Sequence, residues 1–479
     1  MRYHIILRYV GIILLINAAF LFISAIISFL KGDSALFPLI YTCLIAVLFG
    51  AFPFIFIPPA EEISIKEGFT IVVSSWLLSC LIGMIPYILW GGEFTLTNAW
   101  FESVSGFTTT GSSILINIEA LPDGLLFWRS ATQWIGGVGI IIFALSILPS
   151  MGKIGMMLYR SEISPLAAAN FRYQTRETLR IIMTVYVGLT ITETMALMAC
   201  GMSLFDAITH SFATIATGGF SPKNLSVAYY GSRPIETVIM IFMILSGINF
   251  GLLFLSFTGR VKILLKSTVL RAYLIMLFAG IVLVAVNIHG TVYGGWGETI
   301  RHAAFQIISI GTSTGFASTD SNIWPPFSQM LILFFTLLCA CSGSTSGGIK
   351  VDRAVLLWHA IKKGIIKVQH PHAIVKAKIE GISIDDDVLE ASLLYIILYV
   401  AIVFVSSLLI CFMGVDIMTA FSASAATMGN VGPGFGLVGS VSNFGNIPEL
   451  GKWILTGDML LGRLEIFGLL LFFLLRSWK

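Results

Sequence analysis

The chain has few charged residues. Asp, Glu, Lys and Arg make up 11% of its 479 residues, whereas hydrophobic residues make up 57%. Because an ordinary soluble domain carries roughly 25% charged residues, this shortage excludes a soluble globular protein and indicates a chain that lies in a bilayer. The net charge of +3 is too small to indicate a nucleic-acid partner.

The motifs of common enzyme and metal sites are also absent. No HExxH, Walker or Ser-His-Asp pattern occurs, and the seven histidines are scattered. The six cysteines form no CxxC pair, so they predict neither a metal site nor a disulfide framework. A membrane-embedded enzyme would have to use His210, Glu102 and Asp206, which form no recognisable set. We therefore predict no enzymatic activity and no organic cofactor.

Long apolar runs dominate instead. A membrane helix needs about 20 apolar residues, and about ten segments qualify: 9–30, 36–58, 67–90, 125–150, 178–201, 235–258, 270–290, 327–349, 388–413 and 452–475. The first follows Arg2 and Arg8 and exceeds the roughly 7–15 apolar residues of a signal peptide. We therefore expect it to be retained as a membrane helix.

Lys and Arg are concentrated in alternate connections, which predicts a cytoplasmic N-terminus. The connections placed on the cytoplasmic side by this rule hold most of the basic residues, among them Lys66, Lys153, Arg160, Arg172, Arg176, Arg180, Arg260, Lys262, Lys266, Arg271, Lys350, Arg353, Lys362, Lys363, Lys367, Lys376, Lys378, Arg476 and Lys479. The outer side keeps Lys31, Arg129, Lys223, Arg233, Arg301 and Lys452.

Four half-length apolar segments lie between alternate pairs of spans, and each ends in small residues. Ala99, Ala207, Ala303 and Ala420 each stand twelve residues before a glycine. We name the four endings the glycine loops: Thr109-Thr110-Gly111, Thr217-Gly218-Gly219, Ser313-Thr314-Gly315 and Asn430-Val431-Gly432. All four fall on the predicted outer side, which is typical of segments that enter the membrane and leave on the same side.

The repeated register predicts an all-α polytopic membrane protein with four pseudo-symmetric helix, pore half-helix, helix repeats around one pore. The boundaries fall in the basic connections: an N-terminal helix pair at 1–60 and repeats at 61–165, 170–262, 266–365 and 385–479. The longest polar connection, residues 358–387, is either a solvated loop or a docking surface for a cytosolic protein.

The glycine loops have the composition of a carbonyl cage for a cation. Consecutive carbonyls that point the same way need dihedrals with φ > 0, which Gly adopts cheaply. Irregular backbone at membrane depth must be buried or line a water-filled path, and rings of carbonyls can replace an ion's hydration shell. Close helix packing is the alternative for any single loop, but four loops in one register favour the pore.

Taken together, these motifs resemble the Trk/Ktr/HKT superfamily of cation transporters, and most of all its TrkH branch. The resemblance covers residues 61–479, and the N-terminal helix pair also fits that branch. It rests on the glycine loops together with the motifs at 133–139, 216–221, 342–350, 429–434 and 462–465.

The resemblance implies an inward K⁺ pathway in which carbonyls of the glycine loops bind the ion and select it. In related proteins a Ser at the position of Gly111 goes with sodium permeation, so Gly111 favours potassium. The resemblance also implies a homodimer in a bacterial cytoplasmic membrane, with a nucleotide-binding cytosolic regulator of the TrkA type. It favours passive conduction driven by the membrane potential, and H⁺- or Na⁺-coupled symport is the alternative.

Two features are candidates for a gate. The first, which we name the Ser/Gly loop, interrupts an apolar run and comprises Ser342, Gly343, Ser344, Thr345, Ser346, Gly347 and Gly348. Such a composition cannot hold a stable helix, so it forms either a flexible loop beneath the glycine loops or an ordinary helix end.

The second candidate is Arg463, near the middle of the last apolar run. A charge at that depth costs at least about 2.5–3.5 kcal/mol, so the side chain needs partners. It is either a positive plug bonded to the Ser/Gly loop or half of a salt bridge with Asp458 or Glu465.

Overall fold

A computed structural model of the chain describes residues 1–60, 63–146, 175–259, 261–370, 372, 378–379, 382–384, 386–466 and 468–469. Several sequence predictions lie outside the described residues: the boundary at 165–170, the ends of the predicted spans 125–150 and 452–475, and the basic residues Lys153, Arg160, Arg172, Arg260, Lys376, Arg476 and Lys479.

The described chain is mainly helical with very little strand, which confirms the predicted all-α fold class. The first part contains α1 (Tyr3–Lys31), α2 (Leu36–Phe56), α3 (Ile65–Gly83), α4 (Ile85–Trp90), α5 (Leu96–Phe107) and α6 (Asp123–Ser146). The middle contains α7 (Thr175–Ala199), α8 (Leu204–Ile215), α9 (Arg233–Ser246), α10 (Phe250–Phe257), α11 (Val261–Lys266), α12 (Thr268–Ile288), α13 (Trp296–Gly311) and α14 (Pro326–Leu337). The last part contains α15 (Val351–Gln369), α16 (Asp386–Phe412), α17 (Ile417–Met428) and α18 (Glu449–Arg463).

Short elements complete the described chain. Strands β1 (Leu338–Cys339) and β2 (Ile349–Lys350) pair in parallel, and β3 (Lys378–Ile379) pairs with β4 (Ile382–Ser383) in antiparallel fashion. Single 3₁₀ turns lie at Ile118–Ala120, Ser226–Tyr230, Ser321–Ile323 and Gly436–Val438. The β1–β2 pair matters for the site because it brackets the Ser/Gly loop.

Six helical segments within the described residues are long and apolar enough to cross a membrane, or seven if the bent pair α9 and α10 counts as one span. They are Tyr3–Lys31, Leu36–Phe56, Lys66–Trp90, Arg180–Ala199, Thr268–Ile288 and Asp386–Phe412. The N-terminal pair packs through small residues: a methyl group at Gly11 would lie 2.7 Å from the Gly50 carbonyl oxygen, the close approach typical of membrane helices.

Two predicted spans are wrong as continuous helices. The segment 235–258 bends by 106° between α9 and α10. Gly247 ends the first helix, and Asn249 caps the second by accepting a hydrogen bond from the Leu252 backbone N–H, at 3.1 Å. The segment 327–349 is helical only to Leu337. At the first break Gly247 and Asn249 interrupt the apolar run, whereas at the second the chain leaves the helix as strand β1, which pairs with β2. In both cases the freed backbone groups find partners within the protein.

Candidate ion pathway

The four half-length helices α5, α8, α13 and α17 end in the same backbone geometry. The residue that opens each glycine loop has a positive φ although it is not glycine: Thr109 at 50°, Thr217 at 52°, Ser313 at 55° and Asn430 at 51°. A positive φ is uncommon for such residues and persists only where the surroundings impose it. The chain therefore holds four strained positions in one register.

Hydrogen bonds explain how each helix ends in this way. The Thr109 N–H donates to the Gly106 carbonyl at 3.0 Å, and the Thr110 N–H donates to the Ser105 carbonyl at 2.9 Å. These are the two bonds of a Schellman C-cap. The same pair of bonds recurs at the other three loops, with donors at Thr217 and Gly218, Ser313 and Thr314, and Asn430 and Val431.

The glycines of the loops form a closed ring. A Cβ built on each glycine would overlap a carbonyl oxygen of the next loop, at 2.1 Å from Gly111 to Gly218, 2.0 Å from Gly219 to Thr314, 2.0 Å from Gly315 to Val431 and 2.8 Å from Gly432 to Thr110. Each loop therefore touches the next, and the fourth returns to the first. The structure thus brings all four predicted loops together around one axis.

This ring can bind a cation without carboxylates. The C-terminal ends of four half-length helices, each partly negative, lead to the loops, and main-chain oxygens crowd the axis. Among the described residues no group of three or more His, Cys, Asp or Glu side chains could hold a metal ion. The four loop glycines also line a cavity that opens to solvent.

On the other side of the glycine loops lies the Ser/Gly loop, which is buried except at Gly343, which is partly exposed. The Thr345 hydroxyl donates to the Ile215 carbonyl at 2.9 Å, and the Ser346 and Ser313 hydroxyls are 2.8 Å apart. A methyl group at Gly347 would lie 2.7 Å from the Gly429 carbonyl oxygen. The loop therefore contacts the C-terminal ends of three half-length helices, α8, α13 and α17, beside the glycine loops.

Arg463 is buried at the same level, with 1% of its surface exposed. Its Nη1 donates to the Thr345 carbonyl at 2.6 Å, and its Nη2 donates to the Gly136 carbonyl at 3.1 Å. Of the two acidic candidates, Asp458 accepts from Ser406 and Ser424. Glu465 pairs with Arg353 at 2.7 Å and with Lys350 at 3.6 Å. The alternative of a salt bridge between Arg463 and either acid is therefore wrong within the described residues.

The comparison with known protein families agrees with this arrangement. Residues 40–478 match the TrkH family, which is described as a cation transport protein family. The chain belongs to the TrkH family. This confirms the resemblance inferred from the sequence, and because it is a family of transport proteins, it also confirms the prediction that the chain is not an enzyme.

Individual TrkH-family relatives match over their whole length. The chain is 36% identical to the Trk system potassium uptake protein TrkH of Escherichia coli K12, over 100% of both chains. It is 34% identical to the TrkH protein of Halomonas elongata, again over 100% of both. The crystal structure of the potassium transporter TrkH from Vibrio parahaemolyticus superimposes with a TM-score of 0.90 at 32% identity, covering 100% of each chain.

Sequence reasoning missed two supports of the TrkH-family site. At the break between α9 and α10, the Asn249 side-chain amide donates to the Ser342 carbonyl at 2.9 Å, and the Phe250 N–H donates to Gly343 at 3.1 Å. Gln133 donates to the Gly218 carbonyl at 2.6 Å and accepts from the Phe220 N–H at 3.1 Å. An Asn after a Gly inside an apolar run is the signal that could have revealed the first.

The set considered for a membrane enzyme is not a catalytic site. The Glu102 carboxylate pairs with Arg129 at 2.6 Å, and His210 bonds to the Asp206 carbonyl at 2.8 Å. The Asp206 carboxylate lies 3.8 Å from the Lys223 ammonium. These residues therefore support the half-length helices instead of converging on a shared substrate position.

Proposed function

We propose that this TrkH-family chain takes up K⁺ through the ring of glycine loops, driven by the membrane potential. The observation that carries the proposal is the closed ring of four loops with one repeated backbone conformation. Carbonyl oxygens suit a dehydrated alkali cation, and the relatives are named as potassium uptake proteins. In this proposal the ion-binding groups are the carbonyls of the twelve loop residues, and K⁺ is the cargo.

We also propose that the Ser/Gly loop and Arg463 form the gate. Helix α15 follows the loop after the two residues of β2 and carries Lys362, Lys363 and Lys367. In this proposal the N-terminus and the basic connections lie in the cytoplasm of a bacterial cell. A cytosolic regulator of the TrkA type that pulls on α15 would therefore move the Ser/Gly loop. We further propose a homodimer with one pathway in each subunit. Mass measurement of the solubilised protein tests the dimer, and flux with and without the regulator tests the gating.

The alternative to passive conduction is symport of K⁺ with H⁺ or Na⁺. One observation makes this alternative worth testing. Glu193 in α7 is fully buried, and neither of its carboxylate oxygens makes a well-formed hydrogen bond within the described residues. An ionisable side chain in a membrane span is a candidate site for a coupling ion.

Flux measurements separate the two mechanisms. Purified protein in liposomes is expected to take up labelled rubidium whenever the interior is negative, with no proton or sodium gradient. A potential of 100 mV is worth about 2.3 kcal/mol per charge, which corresponds to about 50-fold accumulation. Uptake that needs an inward H⁺ or Na⁺ gradient at fixed potential, and that loses this need in Glu193→Gln, would establish symport instead.

The contact between Asn249 and the Ser/Gly loop predicts a leak. Asn249→Ala removes the bond to the Ser342 carbonyl and the cap of α10, so basal rubidium flux is expected to rise about threefold to tenfold, since one buried hydrogen bond contributes about 0.5–1.5 kcal/mol. Ser267→Ala is the matched control, because Ser267 also caps a helix, through the Leu270 N–H at 3.4 Å. Equal flux in both variants would contradict the role of the break.

A further inference from the structure

Three of the half-length helices carry a polar side chain that bonds to the chain segment following the glycine loop. In each case this residue stands nine positions before the loop glycine. The pairs are Glu102 with the Ile114 N–H at 3.1 Å, His210 Nε2 with the Ser221 hydroxyl at 3.1 Å, and Gln306 with the Thr319 carbonyl at 2.9 Å. The positions of these three glycine loops are therefore fixed by a side chain of the preceding helix as well as by the C-cap.

Glu102, which bonds to the segment after the first glycine loop, also forms an ion pair with Arg129. The Glu102 carboxylate lies 2.6 Å from the Arg129 guanidinium, and both side chains are at most 1% exposed. Arg129 in turn donates to the Ser221 carbonyl at 3.3 Å and lies over the Phe220 ring at 4.0 Å. Through this pair the segment after Gly111 is connected to the segment after Gly219.

One member of the pair, Arg129, also lines the cavity beside the glycine loops. Arg129 and Phe220 line the same cavity as the loop glycines Gly111 and Gly219. A guanidinium in the wall of a cation pathway would repel the ion, and the adjacent Glu102 carboxylate offsets that charge. Removing one partner of a buried ion pair leaves the other charge uncompensated. The net charge of the cavity wall therefore depends on both residues.

We propose that Glu102 and Arg129 are positioning residues that set the separation of the first two glycine loops, keep the cavity wall neutral and so determine discrimination among alkali cations. The inference rests on the proposed function, because it assigns these residues to the same pathway. Neither side chain needs to touch the ion: Glu102 acts through the segment after Gly111, and Arg129 acts through the Ser221 carbonyl.

Two single variants separate the electrostatic effect from the geometric one. Glu102→Gln leaves the Arg129 guanidinium without its counter-charge. The external KM for rubidium is therefore expected to rise about tenfold, which is the effect of repulsion by a unit charge about 10 Å from the ion at an effective dielectric of about 20. Arg129→Gln removes the bond to the Ser221 carbonyl, so Na⁺ is expected to inhibit rubidium uptake about tenfold more effectively than in the wild type.

The double variant Glu102→Gln/Arg129→Gln carries neither charge. Its KM is expected to return to within about threefold of wild type, whereas the loss of discrimination against Na⁺ persists. A merely structural role would lower the amount of folded protein without this split between KM and ion preference. All values are therefore measured per folded molecule, quantified by size-exclusion chromatography of the purified protein.

The matched control is Glu236→Gln. Glu236 is also a buried acid, 2% exposed, and lies 3.4 Å from Arg301, but Arg301, unlike Arg129, does not line the cavity. We expect its KM and ion preference to equal those of the wild type. If Glu102→Gln and Arg129→Gln behave like this control while the wild type transports rubidium, the inference is overturned and the proposed function stands. If the wild type transports no alkali cation, both are overturned.

Discussion

Gly219→Ala is expected to abolish K⁺ uptake, with a loss of at least about 100-fold per folded molecule, since a displacement of about 1 Å at a binding site can cost this much. Gly219 has a φ of 77°, and a Cβ there would lie 2.0 Å from the Thr314 carbonyl oxygen. That oxygen belongs to the next glycine loop, so the backbone cannot yield without opening the ring. Rubidium uptake into liposomes under an inside-negative potential measures the loss.

The control must be a glycine that also has a positive φ but whose added Cβ would contact no neighbouring atom. Gly290 has a φ of 74°, and a Cβ there would meet nothing within 4 Å. Gly290→Ala therefore pays a similar backbone cost, of about 1–2 kcal/mol, and is expected to transport normally once folded. Comparable loss in both variants would mean that backbone strain alone explains the effect, and normal uptake by Gly219→Ala would remove the ring from the ion pathway.

The ring was predictable from sequence because its cause is local. A Schellman cap needs only the half-length helix and the residues that follow it, and the twelve-residue spacing between Ala207 and Gly219 repeats in every copy. Composition alone also excluded a soluble protein. The position of Arg463 within an apolar run was enough to predict buried partners, since a charge at that depth is costly.

The supports of the ring were not predictable in the same way, because they depend on tertiary contacts. The bend at Asn249 exists because its freed backbone groups meet the Ser/Gly loop, which lies 93 residues further along the chain. The ion pair of Glu102 with Arg129 joins two helices of one repeat and reaches the second repeat at Ser221. No periodicity in a single sequence reports such distant partners, so Glu102 looked only like an isolated acid.

These contacts divide the pathway into two functional halves. The glycine loops are rigid, because C-caps, Gln133 and Glu102 hold them. By contrast, the Ser/Gly loop has glycine at both ends and is held by side-chain hydrogen bonds and by Arg463. We therefore propose that the glycine loops select the ion and that the Ser/Gly loop, whose contacts can be broken one at a time, is the gate.

Removing Arg463 is the sharpest test of that division. Arg463→Ala and Arg463→Gln are expected to raise basal rubidium flux about 10-fold to 100-fold in the absence of any regulator, since hydrogen bonds from a charged group contribute about 1.5–3 kcal/mol. Both bonds end on carbonyl oxygens, at Thr345 in the Ser/Gly loop and at Gly136 in α6. Without them the positive charge leaves the pathway, and the loop loses its connection to α18.

Lys452 provides the matched control on the same helix. It is 5% exposed, and its ammonium donates to the Asn98 side chain and to the Gly445 carbonyl, each at 2.9 Å. Lys452→Gln therefore removes a buried cation with two hydrogen bonds far from the Ser/Gly loop, and its basal flux is expected to match the wild type. Because the C-cap hydrogen bonds of the glycine loops do not involve Arg463, the open Arg463 variants are also expected to keep their preference for K⁺ over Na⁺. Unchanged basal flux in both Arg463 variants would refute the plug, and lost ion preference would show that gate and ring are one unit.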